Sequence, residues 1–267
     1  MTSFVLTERR GPVAILTFNR PASMNAISER QDCVDLIQAL EMLMDDRSIS
    51  AAIVTGAGRA FSAGGNLKAM KERVGIGPQE QPDSTRFNYR RGVQRITEAF
   101  MACEVPLIAA VNGHAIGLGC DLACLCDIRI AAESAKFAAS FIKVGLVPGD
   151  GGAWSLQKAI GYSRAAEMFL TGDTYTAQEV SGFGLVNKVV PDDQLMTEAL
   201  AMAERIAANP ARALRLTKRL LREAQTQRMS EILELSAAYQ ALSHETADHA
   251  EAIDAFLEKR KPTFTGE

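Results

Sequence analysis

Two glycine-bearing stretches carry main-chain N–H groups that no side chain need cover. Ala63-Gly64-Gly65-Asn66-Leu67 follows a short apolar run, and Gly117-Leu118-Gly119-Cys120-Asp121 stands between an apolar run and a helical pattern. Glycine lets a chain turn tightly and approach a ligand closely. A helix beginning near Leu118 would add the positive end of its dipole. Two such N–H groups converging on one carbonyl oxygen make an oxyanion hole, which stabilises the charge that develops there during reaction. Taken singly, each stretch also reads as punctuation between a strand and a helix. Neither fits a dinucleotide or phosphate loop: GAGRAF lacks the last glycine, and GLGCDL has no Lys-Ser/Thr pair.

Groups that can carry a proton are few nearby. Asp121 falls about one turn past Leu118. Apolar walls would raise its pKa toward a value useful for proton exchange; the other reading is a buried Asp bonded to backbone N–H groups. Asp150 sits in the turn-rich VPGDGG, either as a cap for a helix starting near Gly152 or as a second proton carrier. Asp127 reads as the start of a strand. Of the histidines only His114 lies near the two stretches. It reads as a packed turn residue, with no Ser or Cys nucleophile paired to it. Five cysteines, three of them in GCDLACLCD, are an odd number without zinc spacing. They read as small buried hydrophobes in a reduced, cytoplasmic setting.

The elements that position these groups are legible in part. Phe4 to Glu8 and Val13 to Phe18 read as strands joined at Arg10-Gly11. Glu29 to Leu43 has helical spacing, with Ser28 as its cap and Gln31 completing a capping box. Ala51 to Thr55 is a buried strand, and Leu67 to Arg73 is a short helix. The segment from Gly75 to Asp83 has no periodicity and suits a mobile loop or lid. Tyr89 to Cys103 reads as a helix, Leu107 to Val111 as a strand, Cys120 onward as a helix, and Ile128 to Ala131 as a strand. This order predicts an α/β core with crossover units. From Asp192 the pattern turns helical, in Leu195 to Ala208, Ala211 to Ala224 and Ser230 to Leu242, with a compositional boundary near residue 200.

The 267 residues are 47% hydrophobic and carry a net charge of −3, ordinary globular values that point to no nucleic acid and no anionic membrane. No run approaches the roughly 18 apolar residues of a membrane span, and MTSFVLTERRGPVAIL lacks the order of a signal peptide.

Four segments in order carry a resemblance: PASMNAIS, AFSAGGNLKAM, PLIAAVNGHAIGLGCDLACLCDIRIAAESAKF and AFLEKRKPTF, spread between residues 21 and 264. Together they resemble the enoyl-CoA hydratase/isomerase (crotonase) family. The resemblance implies a spiral of repeated β-β-α units over residues 1–200. It implies a C-terminal helical region, 201–267, that assembles homotrimers or hexamers. It implies an enzyme that binds an acyl-CoA substrate and stabilises a thioester enolate, without metal or separate cofactor, since coenzyme A enters with the substrate. Gly65 and Leu118 would supply the oxyanion N–H groups. Met24 and Ala26 would lie by the adenine through their backbone. Ala63, Gly64, Asn66, Leu67 and Lys68 would flank the thioester and pantetheine. Phe256 and Lys259 would meet the nucleotide, from the same or a neighbouring subunit; Lys259 also reads as a solvated helix-end lysine.

The match departs from the family where hydratases carry two glutamates. The first position is Asp121. The second is Phe141, a substrate-contact position that cannot hold or deprotonate water. Some isomerases of the family place a base Asp where this chain has Gly149, one residue before Asp150. FIKVGLVP and AFLEKRKPTFTG are similar to the phenylacetate-pathway isomerases, which also lack the second acid. The expected activity is hydration or double-bond isomerisation of an unsaturated acyl-CoA, by Asp121, with Asp150 as the second candidate, acting on the α or γ carbon. A thioester hydrolase and a non-catalytic acyl-CoA binder are the alternatives.

Overall fold

The computed structural model of the chain describes residues 3–77 and 81–266. A hairpin opens it: β1 (Val5–Arg10) pairs antiparallel with β2 (Val13–Phe18) across a turn in which Gly11 has a φ of 58°. The apolar 3–4 spacing then folds as α1 (Arg30–Asp45), which buries Cys33, Leu36, Leu40 and Leu43. Its cap differs from the expectation. Glu29 is the cap, and the Asp32 carboxylate accepts from the N–H groups of Ser28 (3.0 Å) and Glu29 (2.9 Å). An ionised carboxylate is the stronger acceptor. The Ser28 hydroxyl is instead held by the side-chain N–H of Asn66, at 2.8 Å.

The chain next alternates between two sheets. β3 (Ala51–Gly56) joins the larger and β4 (Ala60–Ser62) the smaller. Three helices follow: α2 (Leu67–Glu72), α3 (Pro82–Arg91) and α4 (Val93–Ala102). The segment 75–83 therefore contains the start of α3, and residues 78–80 of it lie outside the described residues. The helix expected from Tyr89 to Cys103 is two helices, broken at Gly92. The step repeats with β5 (Leu107–Val111), β6 (His114–Ile116) and α5 (Leu118–Leu125), and again with β7 (Ile128–Ala132) and β8 (Lys136–Ala138). Then come α6 (Gly152–Ile160), α7 (Tyr162–Thr171), β9 (Tyr175–Thr176), α8 (Ala177–Gly182) and β10 (Lys188–Val190). The sheets run β1-β2-β3-β5-β7-β10 and β4-β6-β8-β9, parallel except for β1 and β9. After the opening hairpin, whose two strands both join the larger sheet, each of the pairs β3-β4, β5-β6 and β7-β8 gives one strand to each sheet, which is the expected spiral.

The inner part of the larger sheet is covered on both faces, so β2, β3 and β5 read as apolar runs, unlike the exposed edge strand β1. Alternate residues still part company. Ala14, Leu16, Ala52 and Val54 face the main core with Leu36 and Phe61, while Val13, Ile15, Ala51 and Ile53 face the other side. That side is covered by α9 (Leu195–Ala207) through Leu195, Ala199 and Ala203. Residue 200 therefore falls inside a helix of the core rather than between elements. Beyond it lie α10 (Ala211–Glu223), α11 (Met229–His244) and α12 (Ala247–Glu258). Among the described residues no helix is long and apolar enough to cross a membrane.

Cations of α10 tie it to the core. The Arg215 guanidinium donates to the carbonyls of Leu43, Met44, Asp46 and Ile49. The buried Lys218 ammonium donates to Val105 O at 2.6 Å and pairs with Asp127 at 2.7 Å. Asp127 is exposed and still pairs with Arg222 at 3.3 Å, so what Lys218→Ala removes is the buried stem and the charged hydrogen bond to Val105 O. The variant is expected to destabilise the protein by about 2 kcal/mol in urea unfolding; an unchanged midpoint would show that this ammonium does not anchor α10.

Candidate active site

The two glycine-bearing turns meet. β4 and β6 are parallel neighbours, so the turns that follow them leave the same sheet edge side by side. A Cβ placed on Gly64 would stand 2.5 Å from Ile116 O and 3.0 Å from Leu118 N; one on Gly119 would stand 2.0 Å from Ser62 O. Only glycine permits that approach, and Gly64 also has a φ of 76°. Upstream, Asn25 is fully buried at a φ of 55° and pins the first turn. Its side chain donates to Ala57 O and Ala60 O, and its carbonyl accepts from the Ser62 hydroxyl. Ile27 N–H donates to Gly64 O at 2.8 Å, and Gly117 N–H to Ala138 O at 2.8 Å. The N–H groups of Gly65 and Leu118 donate to no protein acceptor among the described residues. Leu118 is the first residue of α5, so its N–H lies at the positive end of the dipole.

Asp121 and Asp150 are brought together. Asp121, on α5, has 0% exposure, and a Cβ on Gly152 would come within 2.2 Å of both its oxygens. Asp150 is 4% exposed. Both oxygens of Asp121 and Oδ1 of Asp150 are buried without any donor among the described residues. Two acids cannot both ionise in such a place, and one proton held between them removes the conflict. Burial, and then the neighbouring Asp150 charge, push the Asp121 carboxyl well up, so of the two it is the one more inclined to hold a proton. Burial also raises Asp150, against the opposing pull of a hydrogen bond with Asp121 and of the N–H groups of Asp150 and Gly152.

Asp150 is not the cap residue of α6, which is Gly151 and makes no side-chain bond, but its carboxyl is drawn to the N–H of Gly152, the first residue of that helix. The turn is also held by α4. Gln94 donates to Gly149 O at 2.8 Å, and the Thr97 hydroxyl donates to Asp150 O.

An apolar cavity of about 130 Å³, open to solvent, lies against these groups. Ala63, Gly65, Asn66, Leu67, Leu118, Phe141 and Asp150 line it, and Asp121 does not. The order of the two acids is therefore the reverse of the one expected: Asp150 faces the cavity and Asp121 stands behind it. Phe141 packs against Phe169, ring centroids 6.3 Å apart, and closes the wall beside Gly117. Several walls went unnoticed in the sequence, namely Met70, Ile76, Tyr89, Val93 and Leu146. Burial and the nearby Asp150 raise the Tyr89 phenol. Helical spacing could have placed Tyr89 and Val93 on one face, four residues apart.

Other expected site residues are apart from the cavity or already engaged. The Asn66 side chain caps α2, accepting from Lys68 N and Ala69 N, so it is not free for a thioester. Lys68 is exposed, beside Glu72. Met24 and Ala26 form the turn beside Ala63, whose N–H donates to Met24 O at 2.8 Å, and neither lines the cavity. Phe256 is 83% exposed, and Lys259 ends α12 with a φ of 57°. Neither lines the cavity within one chain. His114 is exposed on β6, not packed in a turn.

Comparison with known proteins places the chain in a family. The family model described as enoyl-CoA hydratase/isomerase matches residues 8–267. The 1,2-epoxyphenylacetyl-CoA isomerase of Escherichia coli is 36% identical over 267 residues, 100% of both chains. The mitochondrial enoyl-CoA hydratase of Pongo abelii is 35% identical over 265 residues, 98% of this chain and 87% of that one. The crystal structure of an enoyl-CoA hydratase from Bacillus anthracis superposes with a TM-score of 0.92 at 31% identity, covering 99% of this chain and 100% of the other. With a family match over nearly its whole length and the same spiral fold, the chain belongs to the enoyl-CoA hydratase/isomerase family.

Proposed function

We propose that the protein moves a double bond in an unsaturated acyl-CoA by transferring a proton between carbons, with Asp150 as the acid–base group. The thioester oxygen sits between the N–H groups of Gly65 and Leu118. Ionised Asp150 takes a proton from the α or γ carbon, and the electron pair left behind delocalises onto the thioester oxygen as an enolate. Asp150 then returns the proton to the other carbon. Asp121 keeps its own proton and, through its hydrogen bond, orients Asp150; it is a positioning residue. Hydration asks for a second acid to hold water. Phe141 stands at that position, and Asp150 is the sole carboxyl lining the cavity among the described residues, which is the observation that favours isomerisation. The proton shuttle needs no metal or redox group, and coenzyme A arrives with the substrate.

The C-terminal helices support a further part of this reading. Met229, Leu233, Ile253, Phe256 and Leu257 are exposed on α11 and α12. Large apolar side chains gathered in this way suit an interface between copies. A homotrimer or hexamer would bury them and would let Phe256 and Lys259 reach the nucleotide of a neighbour's substrate. Five free cysteines suit a reducing, cytoplasmic setting.

Three measurements test these points. With a trans-3-enoyl-CoA substrate, Asp150→Asn is expected to lower kcat by roughly 10²–10⁴, and Asp121→Asn by less, because an amide can still donate to Asp150. Full activity in Asp150→Asn would end the proposal, as would formation of a hydroxyacyl-CoA as the main product. Asp150 must be ionised to act, and its pKa is raised. The rate should therefore fall, as pH drops, at a pH above the ordinary aspartate value of about 3.9. Light scattering on Leu257→Glu should give a smaller assembly than the parent; identical masses would remove α12 from the interface.

A further inference from the structure

The cavity does not end at Tyr89. Leu67, Met70, Tyr89, Val144 and Leu146 line both it and a wider opening between α2, α3 and the segment 144–149. From Leu118 outward to Val147 the passage is mainly apolar. Its outer part is lined by Lys71, Arg86 and Arg90, and by no Asp or Glu among the described residues. Arg86 and Arg90 stand four apart on α3 and so share a face, while Lys71 comes from α2 opposite. None of the three has an ion pair or a side-chain hydrogen bond among the described residues. Like charges at that spacing repel, and three around one mouth raise the local positive potential. A ligand that relieves this repulsion is anionic at its far end and apolar where it passes Met70 and Leu146.

We propose that the acyl group carries a second, terminal carboxylate, so that the substrate class is the CoA thioester of an unsaturated dicarboxylic acid. This rests on the acyl-CoA reading above. The thioester lies at Gly65 and Leu118, the carbon chain crosses the apolar passage, and the far carboxylate meets the guanidinium groups of Arg86 and Arg90, whose planar forks match its two oxygens. Lys71 adds a third charge. The phosphates of coenzyme A could satisfy the same cations, but they lie on the sulfur side of the thioester, away from the acyl chain.

The test uses matched pairs of enoyl-CoA esters of equal carbon number, one ending in methyl and one in carboxylate. The parent protein is expected to show a kcat/KM roughly five- to tenfold higher for the carboxylate ester, with the preference shrinking as salt is added. In Arg86→Gln/Arg90→Gln that ratio should collapse toward one. Equal kcat/KM for both esters in the parent, or an unchanged ratio in the double variant because both esters fall together, would overturn the proposal. Calorimetric binding of the saturated methyl- and carboxylate-ended esters gives the same comparison without turnover. Tighter binding of the carboxylate ester in the parent, lost in the double variant, supports the proposal even if neither enoyl ester reacts; in that case the isomerase reading fails alone.

Discussion

The site depends on two turns crossing closer than any side chain allows. Gly64 lies against the carbonyl of Ile116 and the N–H of Leu118, and Gly119 lies against the carbonyl of Ser62. Because β4 and β6 are parallel neighbours, both turns emerge at one edge, and the missing Cβ atoms let them interlock. The N–H groups of Gly65 and Leu118 are left without protein acceptors at that crossing. Preorganised donors of this kind need no rearrangement when charge appears in front of them.

Burial then determines what the acids can do. Asp121 and Asp150 come from α5 and from the turn before α6, and the glycine at position 152 leaves room for the Asp121 carboxyl. Neither could stand there ionised beside the other without a large cost. Burial raises both, Asp121 further than Asp150, and Asp150 is the one that fronts the cavity. The two α4 side chains that grip the Gly149-Asp150 backbone hold that turn in place, so α4, remote in sequence, helps set where Asp150 stands.

The walls bear on the choice between the two reactions of the family. A carboxylate at position 141 would invite and hold water. Phe141, packed on Phe169, puts an aromatic ring there instead, which is why the proposed reaction moves a double bond rather than adding water. The same apolar lining continues outward along α2, α3 and the 144–149 segment.

Much of this was legible before any coordinates. The large-sheet strands stood out as apolar runs, the helices as 3–4 spacing, and the family as four ordered motifs including both glycine turns. Short-range rules reach that far because a turn or a helix is set by residues near one another in the chain. The smaller sheet escaped because three-residue strands such as Ala60–Ser62 and Lys136–Ala138 are too short for a period to show. The cap at Ser28 was misplaced because a carboxylate three residues beyond Glu29 competes better for the same N–H groups. What only the tertiary structure decided is which acid lines the cavity. Spacing along α5 put Asp121 near Leu118, but depth from a cavity surface is set by packing between elements, and there Asp150 lies in front.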